Sequence, residues 1–69
     1  MISYNPLWHL LIELGKERKH LNEEIGIHWS TIKRMKNNES VSADTLEKIC
    51  LHFDVPIEKI IEIKKSPSI

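Results

Sequence analysis

The chain has 69 residues, the length of one small domain, and its ten basic residues balance ten acidic ones. No apolar run approaches the roughly 20 residues of a membrane-spanning helix, and the N-terminus lacks the basic-then-apolar layout of a signal peptide. A single cysteine excludes an internal disulfide framework. These features predict one cytoplasmic domain over residues 1–69.

A first helix is predicted to begin at Asn5-Pro6, with Asn5 as the N-cap and Pro6 at the first helical position. Apolar residues then follow the helical spacing i, i+3, i+4, i+7 at Leu7, Leu10, Leu11 and Leu14. Gly15 can adopt the left-handed backbone that ends a helix, so the helix is predicted to stop there.

Two further short amphipathic helices are predicted to meet at Gly26, one over about residues 18–25 and one over about residues 29–36. Their apolar faces are formed by Leu21 and Ile25 in the first and by Ile32 and Met35 in the second. Two helices joined by a short Gly turn are a helix-turn-helix unit, here about residues 18–36. In such units the second helix reads the major groove of DNA.

Asn37-Asn38 can take the left-handed conformations that close the third helix. Ser42 is predicted to cap a fourth helix, with Asp44 in its first turn near the positive end of the helix dipole. The apolar stripe of this helix is the clearest periodicity in the chain and consists of Leu46, Ile49, Cys50 and Phe53.

Pro56 can open a short fifth helix through Ile57, Ile60 and Ile61. The tail 61–65 alternates apolar and polar residues and could form a short strand paired with residues 2–4, although an isolated two-stranded ribbon is weak without packing beneath it. Residues 66–69 are predicted to be frayed. The expected architecture is therefore all-α, with four to five helices and a short terminal β-ribbon as an option.

Charge is unevenly distributed along the chain. Residues 16–36 contain six basic residues and three acidic ones, whereas residues 37–63 contain two basic residues and six acidic ones. The positive charge thus falls on the predicted helix-turn-helix, although clusters this small also arise by chance on solvated helices.

The residues around Gly26 keep the spacing of a known motif. Leu21, Gly26-Ile27, Ser30-Thr31-Ile32 and Arg34 fit the run L-A-x-x-x-G-[VI]-S-x-x-T-[IV]-x-[RK]. Downstream, SADTLEKICLHFDVPIEKII resembles the fourth- and fifth-helix signature p-s-l-e-t-L-x-K-I-a-x-a-L-x-v-x-l-x-x-[IL]. Over about residues 6–61 the chain therefore resembles the phage-repressor and Cro-like helix-turn-helix family, also called the xenobiotic-response-element family.

The resemblance implies a compact lambda-repressor-like fold that binds duplex DNA and regulates transcription. The side chains expected to contact DNA are Arg18, Lys19, His28, Trp29, Ser30, Thr31, Lys33, Arg34, Lys36 and Asn37. Of these, Trp29, Ser30 and Arg34 occupy the family's base-reading positions, and Arg34 could bind guanine O6 and N7 bidentately. Lys33, Lys36, Asn37 and Lys19 are better placed for phosphates. The alternative for each lysine is a solvated side chain.

Three positions depart from the family pattern. Arg18 replaces a Gln that hydrogen-bonds a phosphate, a contact that an arginine can also make. Asn22 replaces an Ala that lets the two helices approach, so its amide would push them apart or need a partner. His28 stands where Ser or Thr usually caps the recognition helix, and we expect the loss of a cap worth about 1 kcal/mol.

The resemblance implies a repressor that binds a pseudo-palindromic site as a homodimer, with residues 57–63 and the N-terminal strand as the expected dimer contact. A second hypothesis is a protein-interaction module on the same fold, such as an antitoxin-like or co-regulator partner. It is favoured by the zero net charge and by Trp29, which could instead pack against the preceding helix or a partner. No catalytic motif, cofactor, metal-ligand spacing or effector site is evident, and Cys50 is expected to be an inert core thiol.

Overall fold

The computed structural model describes residues 1–65, so the predicted fraying of residues 66–69 lies outside the described part of the chain. Within residues 1–65, four α-helices follow a first strand, and a short 3₁₀ helix and a second strand come after them. The elements are β1 (Ile2–Ser3), α1 (Asn5–Glu13), α2 (Lys19–Ile25), α3 (Trp29–Lys36), α4 (Ala43–Phe53), the 3₁₀ helix (Ile57–Lys59) and β2 (Glu62–Ile63). This arrangement confirms the predicted all-α class with its terminal ribbon.

The ribbon joins the two ends of the described chain. β1 and β2 are antiparallel, with Ile2 opposite Ile63 and Ser3 opposite Glu62. The α-amino group of Met1 donates to the Lys64 carbonyl oxygen at 2.8 Å. The backbone N–H of Leu7 donates to the Ile60 carbonyl oxygen at 3.2 Å. A two-stranded ribbon needs additional packing to be stable. Here the Leu7–Ile60 hydrogen bond holds α1 against the segment that follows the 3₁₀ helix and leads into β2.

α1 begins one residue earlier than the sequence predicts. Tyr4 is the N-cap residue and makes no side-chain cap bond, so Asn5 is already helical. The Ser3 hydroxyl instead accepts from the Asn5 N–H at 3.3 Å. At the other end, Gly15 has φ +69°, and the Lys16 and Gly15 N–H groups donate back to Leu11 and Ile12. Those two bonds form a Schellman motif, which confirms Gly15 as the end of the helix.

A single apolar core contains one or more residues from each α-helix. Its buried members are Tyr4, Leu7, Leu11, Leu21, Ile27, Ile32, Met35, Ile49 and Ile60. Leu14, which the helical spacing assigned to the core, is instead 48 % exposed at the C-cap of α1. The core lies beneath α3, so the helix is held by burial of its Ile32 and Met35 side.

Tyr4 links the start of the chain to the turn that follows α3. Its hydroxyl donates to the Glu39 carbonyl oxygen at 2.6 Å, and its backbone N–H donates to Asn38 Oδ1 at 3.4 Å. The ring is fully buried, and burial raises the pKa of the phenol. The turn that follows α3 is thus fixed by Tyr4, which lies 35 positions before Glu39 in the chain.

Glu24 links three segments of the chain around α2. Lys16 Nζ donates to Glu24 Oε2 at 2.8 Å, and His52 Nε2 on α4 lies 3.1 Å from Glu24 Oε1. The hydrogen bond from Lys16, with that from His52, holds the pKa of the Glu24 carboxyl below its usual value. Because the pKa is lower in the folded chain, the ionised carboxylate stabilises the fold above the ordinary glutamate pKa. That contribution is lost as the pH falls through the lowered value.

We therefore expect Glu24→Gln to lower the free energy of unfolding at pH 7 and to match the wild type in acid, below the lowered pKa of Glu24. Denaturant unfolding of both proteins across this pH range measures the difference. Glu23→Gln is the matched control, because Glu23 is an exposed neighbour on α2 for which residues 1–65 provide no ion-pair partner. A destabilisation by Glu24→Gln that stays constant with pH would contradict this assignment.

Candidate nucleic-acid interface

α3 has two chemically distinct sides. Ile32 and Met35 are buried in the core, and Thr31 beside them is partly buried. The opposite side is exposed and contains Trp29, Ser30, Lys33, Arg34, Lys36 and Asn37, the last as the C-cap residue. Since residues three and four apart are neighbours on a helix, Ser30 lies beside Arg34, and Trp29 lies beside Lys33. The sequence prediction of these exposed positions agrees with the structure, while their contacts with DNA remain a prediction.

The turn before α3 is fixed by Gly26 and Asn22. Gly26 has φ +85°, a backbone conformation that residues with a Cβ rarely adopt. Asn22 Nδ2 donates to the Ile27 carbonyl oxygen at 2.8 Å. The asparagine that replaces the family's alanine therefore has the hydrogen-bond partner that its amide requires. This bond crosses the turn and links α2 to the residue that precedes the α3 cap.

α3 retains an N-cap, contrary to the expectation that His28 would remove it. His28 has an extended backbone, and its Nδ1 accepts from the Ser30 N–H at 3.1 Å. A neutral imidazole has one unprotonated ring nitrogen, which can act as the acceptor that a Ser or Asn oxygen usually provides. His28 Nδ1 also lies 2.8 Å from Ser30 Oγ. The first turn of the predicted recognition helix is thus held by a histidine.

The C-terminal end of α3 places Arg34 near an acidic residue that sequence reasoning missed. Asn38 adopts φ +57°, and the Glu39 N–H donates to the Arg34 carbonyl oxygen at 2.9 Å. Arg34 Nε lies 3.7 Å from Glu39 Oε1, with both side chains more than half exposed. An exposed pair at this distance contributes little stability, so the guanidinium is accessible to another partner. The Asn-Asn turn that closes the helix was the only sequence signal for this proximity.

The basic residues at the start of α2 lie beside a tryptophan that the sequence analysis did not assign to the site. Arg18 Cζ lies 5.4 Å from the centroid of the Trp8 ring, a cation–π distance. Lys19 Nζ lies 3.5 Å from Glu17 Oε2, and both side chains are largely exposed. The spacing of Trp8, Leu11 and Ile12 at i, i+3 and i+4 was a usable signal for a second apolar edge on α1.

Both tryptophans of the chain line one open groove. Its volume is about 430 Å³, and its lining comprises Trp8, Leu11, Ile12, Lys16, Glu17, Arg18, Lys19 and Trp29. Trp29 is 53 % exposed, so it is not a core residue. A second hollow of about 380 Å³ on the flank of α3 is lined by Thr31, Arg34, Ser40, Val41, Ser42 and Thr45. Thr31 thus faces the start of α4 more than the exposed side of α3.

The other candidate reactive groups in residues 1–65 are a cysteine and the possible metal ligands. Cys50 is a partly buried free thiol, and burial raises its pKa, which favours the unreactive protonated form. Within residues 1–65, no group of three or more His, Cys, Asp or Glu side chains is arranged to hold a metal ion. None of the helices in this part of the chain has the length and apolar content needed to cross a bilayer.

Comparisons with known proteins agree with this geometry. Residues 6–66 match the profile of the Cro/C1-type HTH DNA-binding domain. The fold is similar to a crystal structure of the transcriptional regulator VanUg (Form II), with a TM-score of 0.85 and 38 % sequence identity over 88 % of this chain and 81 % of that chain. No curated protein matches the chain. The family profile covers nearly the whole sequence, and α3 follows the Gly26 turn with its apolar side buried, as the second helix of a helix-turn-helix does. The chain therefore belongs to the Cro/C1-type helix-turn-helix family of DNA-binding domains.

Proposed function

We propose that this protein is a transcriptional repressor that binds a specific duplex DNA site through the exposed side of α3. The observation that supports this most directly is the division of α3 into a buried apolar side and an exposed side with Ser30, Lys33, Arg34 and Lys36. A helix with this division can enter the major groove without exposing core residues. Repression by occupying a promoter needs no surface beyond the DNA contact itself.

The exposed side chains divide into two roles. Arg34 presents a planar guanidinium that matches guanine O6 and N7, while Ser30 can reach a neighbouring base edge one helical turn away. Lys33, Lys36 and Asn37 surround them and would bind phosphates, which orient the helix without reading sequence. Arg18 and Lys19 add positive charge at the start of α2. The ion pair of Lys19 with Glu17 is exposed, so a phosphate oxygen can replace the carboxylate.

The protein is proposed to act as a homodimer, because one recognition helix covers only a few base pairs. Apolar side chains remain exposed on the terminal ribbon and the 3₁₀ helix: Met1 is 75 %, Ile63 70 % and Ile57 44 % exposed. A second copy placed over these residues would bury them and give an isologous, two-fold contact. Such a dimer matches a pseudo-palindromic site with half-sites about one helical turn apart.

A fluorescence anisotropy titration against the duplex from upstream of the gene tests the proposal. We expect saturable binding of two chains per site. Affinity should fall by orders of magnitude between about 50 and 200 mM salt, since six phosphate contacts alone lose about 10³-fold. Because each site holds two chains, Lys33→Ala removes two phosphate contacts and should reduce the salt slope by about two. The matched control is Lys48→Ala on α4, a cation already 3.4 Å from Asp44, which should leave the slope unchanged.

Two outcomes would contradict this function: no binding at micromolar protein, or binding that does not respond to salt. On the same duplex, in vitro transcription should fall as occupancy rises, and a rise instead would contradict repression while preserving DNA binding. The dimer is contradicted separately if one chain saturates each palindromic site.

A protein-interaction module is the second candidate. It is favoured by the groove beside Trp29, where a half-exposed tryptophan lies next to Trp8 and Ile12. Exposed aromatic residues of this kind are typical of interface hot spots. Affinity capture from the source cell, with and without nuclease, separates the candidates. A partner retained after nuclease treatment and lost in Trp29→Ala would favour the module over DNA binding.

A further inference from the structure

Two donors converge on one nitrogen at the start of α3. The Ser30 N–H donates to His28 Nδ1 at 3.1 Å, and Ser30 Oγ lies 2.8 Å from the same nitrogen. The contact joins the cap residue to a side chain that the proposed function assigns to base readout. It therefore determines the hydrogen-bonding character that Ser30 presents to DNA.

The position of each proton follows from the first of these bonds. A backbone N–H can only donate, so His28 Nδ1 must have its lone pair free and the ring proton must be on Nε2. With Nδ1 unprotonated, the 2.8 Å contact forms only if the Ser30 hydroxyl is the donor. The lone pair of Nδ1 is then shared between the two donors, and the hydroxyl makes the shorter contact. Ser30 has one hydroxyl proton, and that proton is directed toward His28.

We propose that His28 is a specificity-determining residue that makes Ser30 an obligate acceptor in the major groove. Serine ordinarily pairs with either donors or acceptors on a base edge. With its proton held by His28, Ser30 Oγ has only lone pairs to offer and selects the exocyclic amino group of adenine or cytosine. Thymine and guanine present no major-groove donor, so they are disfavoured on the strand that Ser30 faces. This inference depends on α3 reading DNA as proposed above.

The exposure of His28 and Ser30 also supports the role of Ser30 as an acceptor. His28 and Ser30 are both exposed, so Ser30 Oγ can approach a base edge while its hydroxyl proton stays hydrogen-bonded to Nδ1. Ser30 lies one helical turn before Arg34, which is expected to contact guanine. Two adjacent side chains would then select opposite features, with Arg34 donating to one base and Ser30 accepting from another. The His28 Nε2–H remains available to donate to a phosphate.

Selection from a randomised duplex pool tests the inference through two substitutions at position 28. His28→Asn keeps a cap oxygen that can accept from both the Ser30 N–H and its hydroxyl, whereas His28→Gly keeps the helix start but removes the acceptor. We expect wild type and His28→Asn to enrich adenine or cytosine at one half-site position by about threefold to tenfold, the effect of one net hydrogen bond. His28→Gly should tolerate all four bases there, and Ser30→Ala should lose the preference.

A measurement without DNA checks the proton assignment independently. Long-range ¹⁵N–¹H NMR correlations at pH 8 distinguish the two imidazole tautomers, and we expect His28 to carry its proton on Nε2. A proton on Nδ1 would overturn the inference. An identical base preference in wild type and His28→Gly would overturn it as well, with DNA binding left intact. If wild type binds no duplex at all, the proposed function fails and base selection by Ser30 fails with it, whatever the tautomer.

Discussion

Arg34→Ala is expected to remove most of the protein's discrimination between its target duplex and unrelated DNA. A bidentate arginine–guanine contact supplies about 1–3 kcal/mol of discrimination, or about 5-fold to 150-fold in affinity for each half-site of the dimer. The neighbouring Glu39 holds the guanidinium only through an exposed pair of 3.7 Å, which a guanine can displace at small cost. Anisotropy titrations with the selected duplex and a scrambled duplex measure the loss.

Arg34→Lys is the matched variant, because it keeps the charge but loses the planar pair of donors. We expect it to retain affinity for the scrambled duplex and to lose discrimination nearly as fully as Arg34→Ala. Arg34 is 61 % exposed in its side chain, so both variants should melt close to the wild-type temperature. Equal losses on both duplexes would show that Arg34 contacts phosphate instead of bases.

The local parts of the fold were predictable from the sequence. α3 spans residues 29–36 as predicted, and α2 starts one residue later than predicted. Both helices could be predicted because Gly26 can adopt the left-handed backbone that ends α2, and because the apolar spacing on either side of it is helical. Ser42 caps α4 as predicted, with its hydroxyl accepting from the Thr45 N–H. Signals confined to a few neighbouring residues were thus sufficient to place α2, α3 and the start of α4.

Contacts between distant residues could not be predicted in this way. The Tyr4–Glu39 hydrogen bond spans 35 positions and the His52–Glu24 contact spans 28. Neither pair is marked by a periodicity, because both depend on how complete helices pack. Asn22 shows the same limit over a short distance. The sequence indicated that its amide needs a partner, but the identity of that partner, the Ile27 carbonyl oxygen, depends on the shape of the turn.

The candidate site was predictable in outline and not in detail. The exposed side of α3 follows from its helical period, since Ile32 and Met35 define the buried side. The cap at His28 was predicted wrongly, because statistical preference for Ser or Thr says nothing about the ring nitrogen that replaces their oxygen. Trp8 was not predicted as a site residue because only leucines defined the apolar side of α1. The groove that Trp8 shares with Trp29 joins segments that are separated in sequence.

α3 serves as a structural helix and as the proposed DNA reader, and the two roles fall on opposite sides of the same eight residues. A substitution on either side should therefore weaken DNA binding, but only one on the buried side should lower the melting temperature. This difference allows the contribution of the fold to be separated from that of the contact.

Met35→Ala is expected to have the largest effect on stability. Met35 is fully buried on α3, and truncation of a buried methionine costs about 2–5 kcal/mol. A chain of 69 residues has a total stability of about 3–10 kcal/mol at 0.05–0.15 kcal/mol per residue. Each kcal/mol lowers the melting temperature of a domain this size by about 4–8 °C, so thermal unfolding should shift down by at least about 8 °C. DNA affinity should fall only in proportion to the unfolded fraction.

Met35→Leu, which nearly conserves volume, should cost less than about 1.5 kcal/mol and melt close to the wild type. Because target DNA binds only the folded chain, adding it should raise the melting temperature of Met35→Ala. The same addition should protect Arg34→Ala much less, although that variant starts from a wild-type melting temperature. If Met35→Ala melts like the wild type, Met35 does not support α3 as its burial indicates. If target DNA protects Arg34→Ala as well as it protects the wild type, the two sides of α3 do not divide stability and recognition between them.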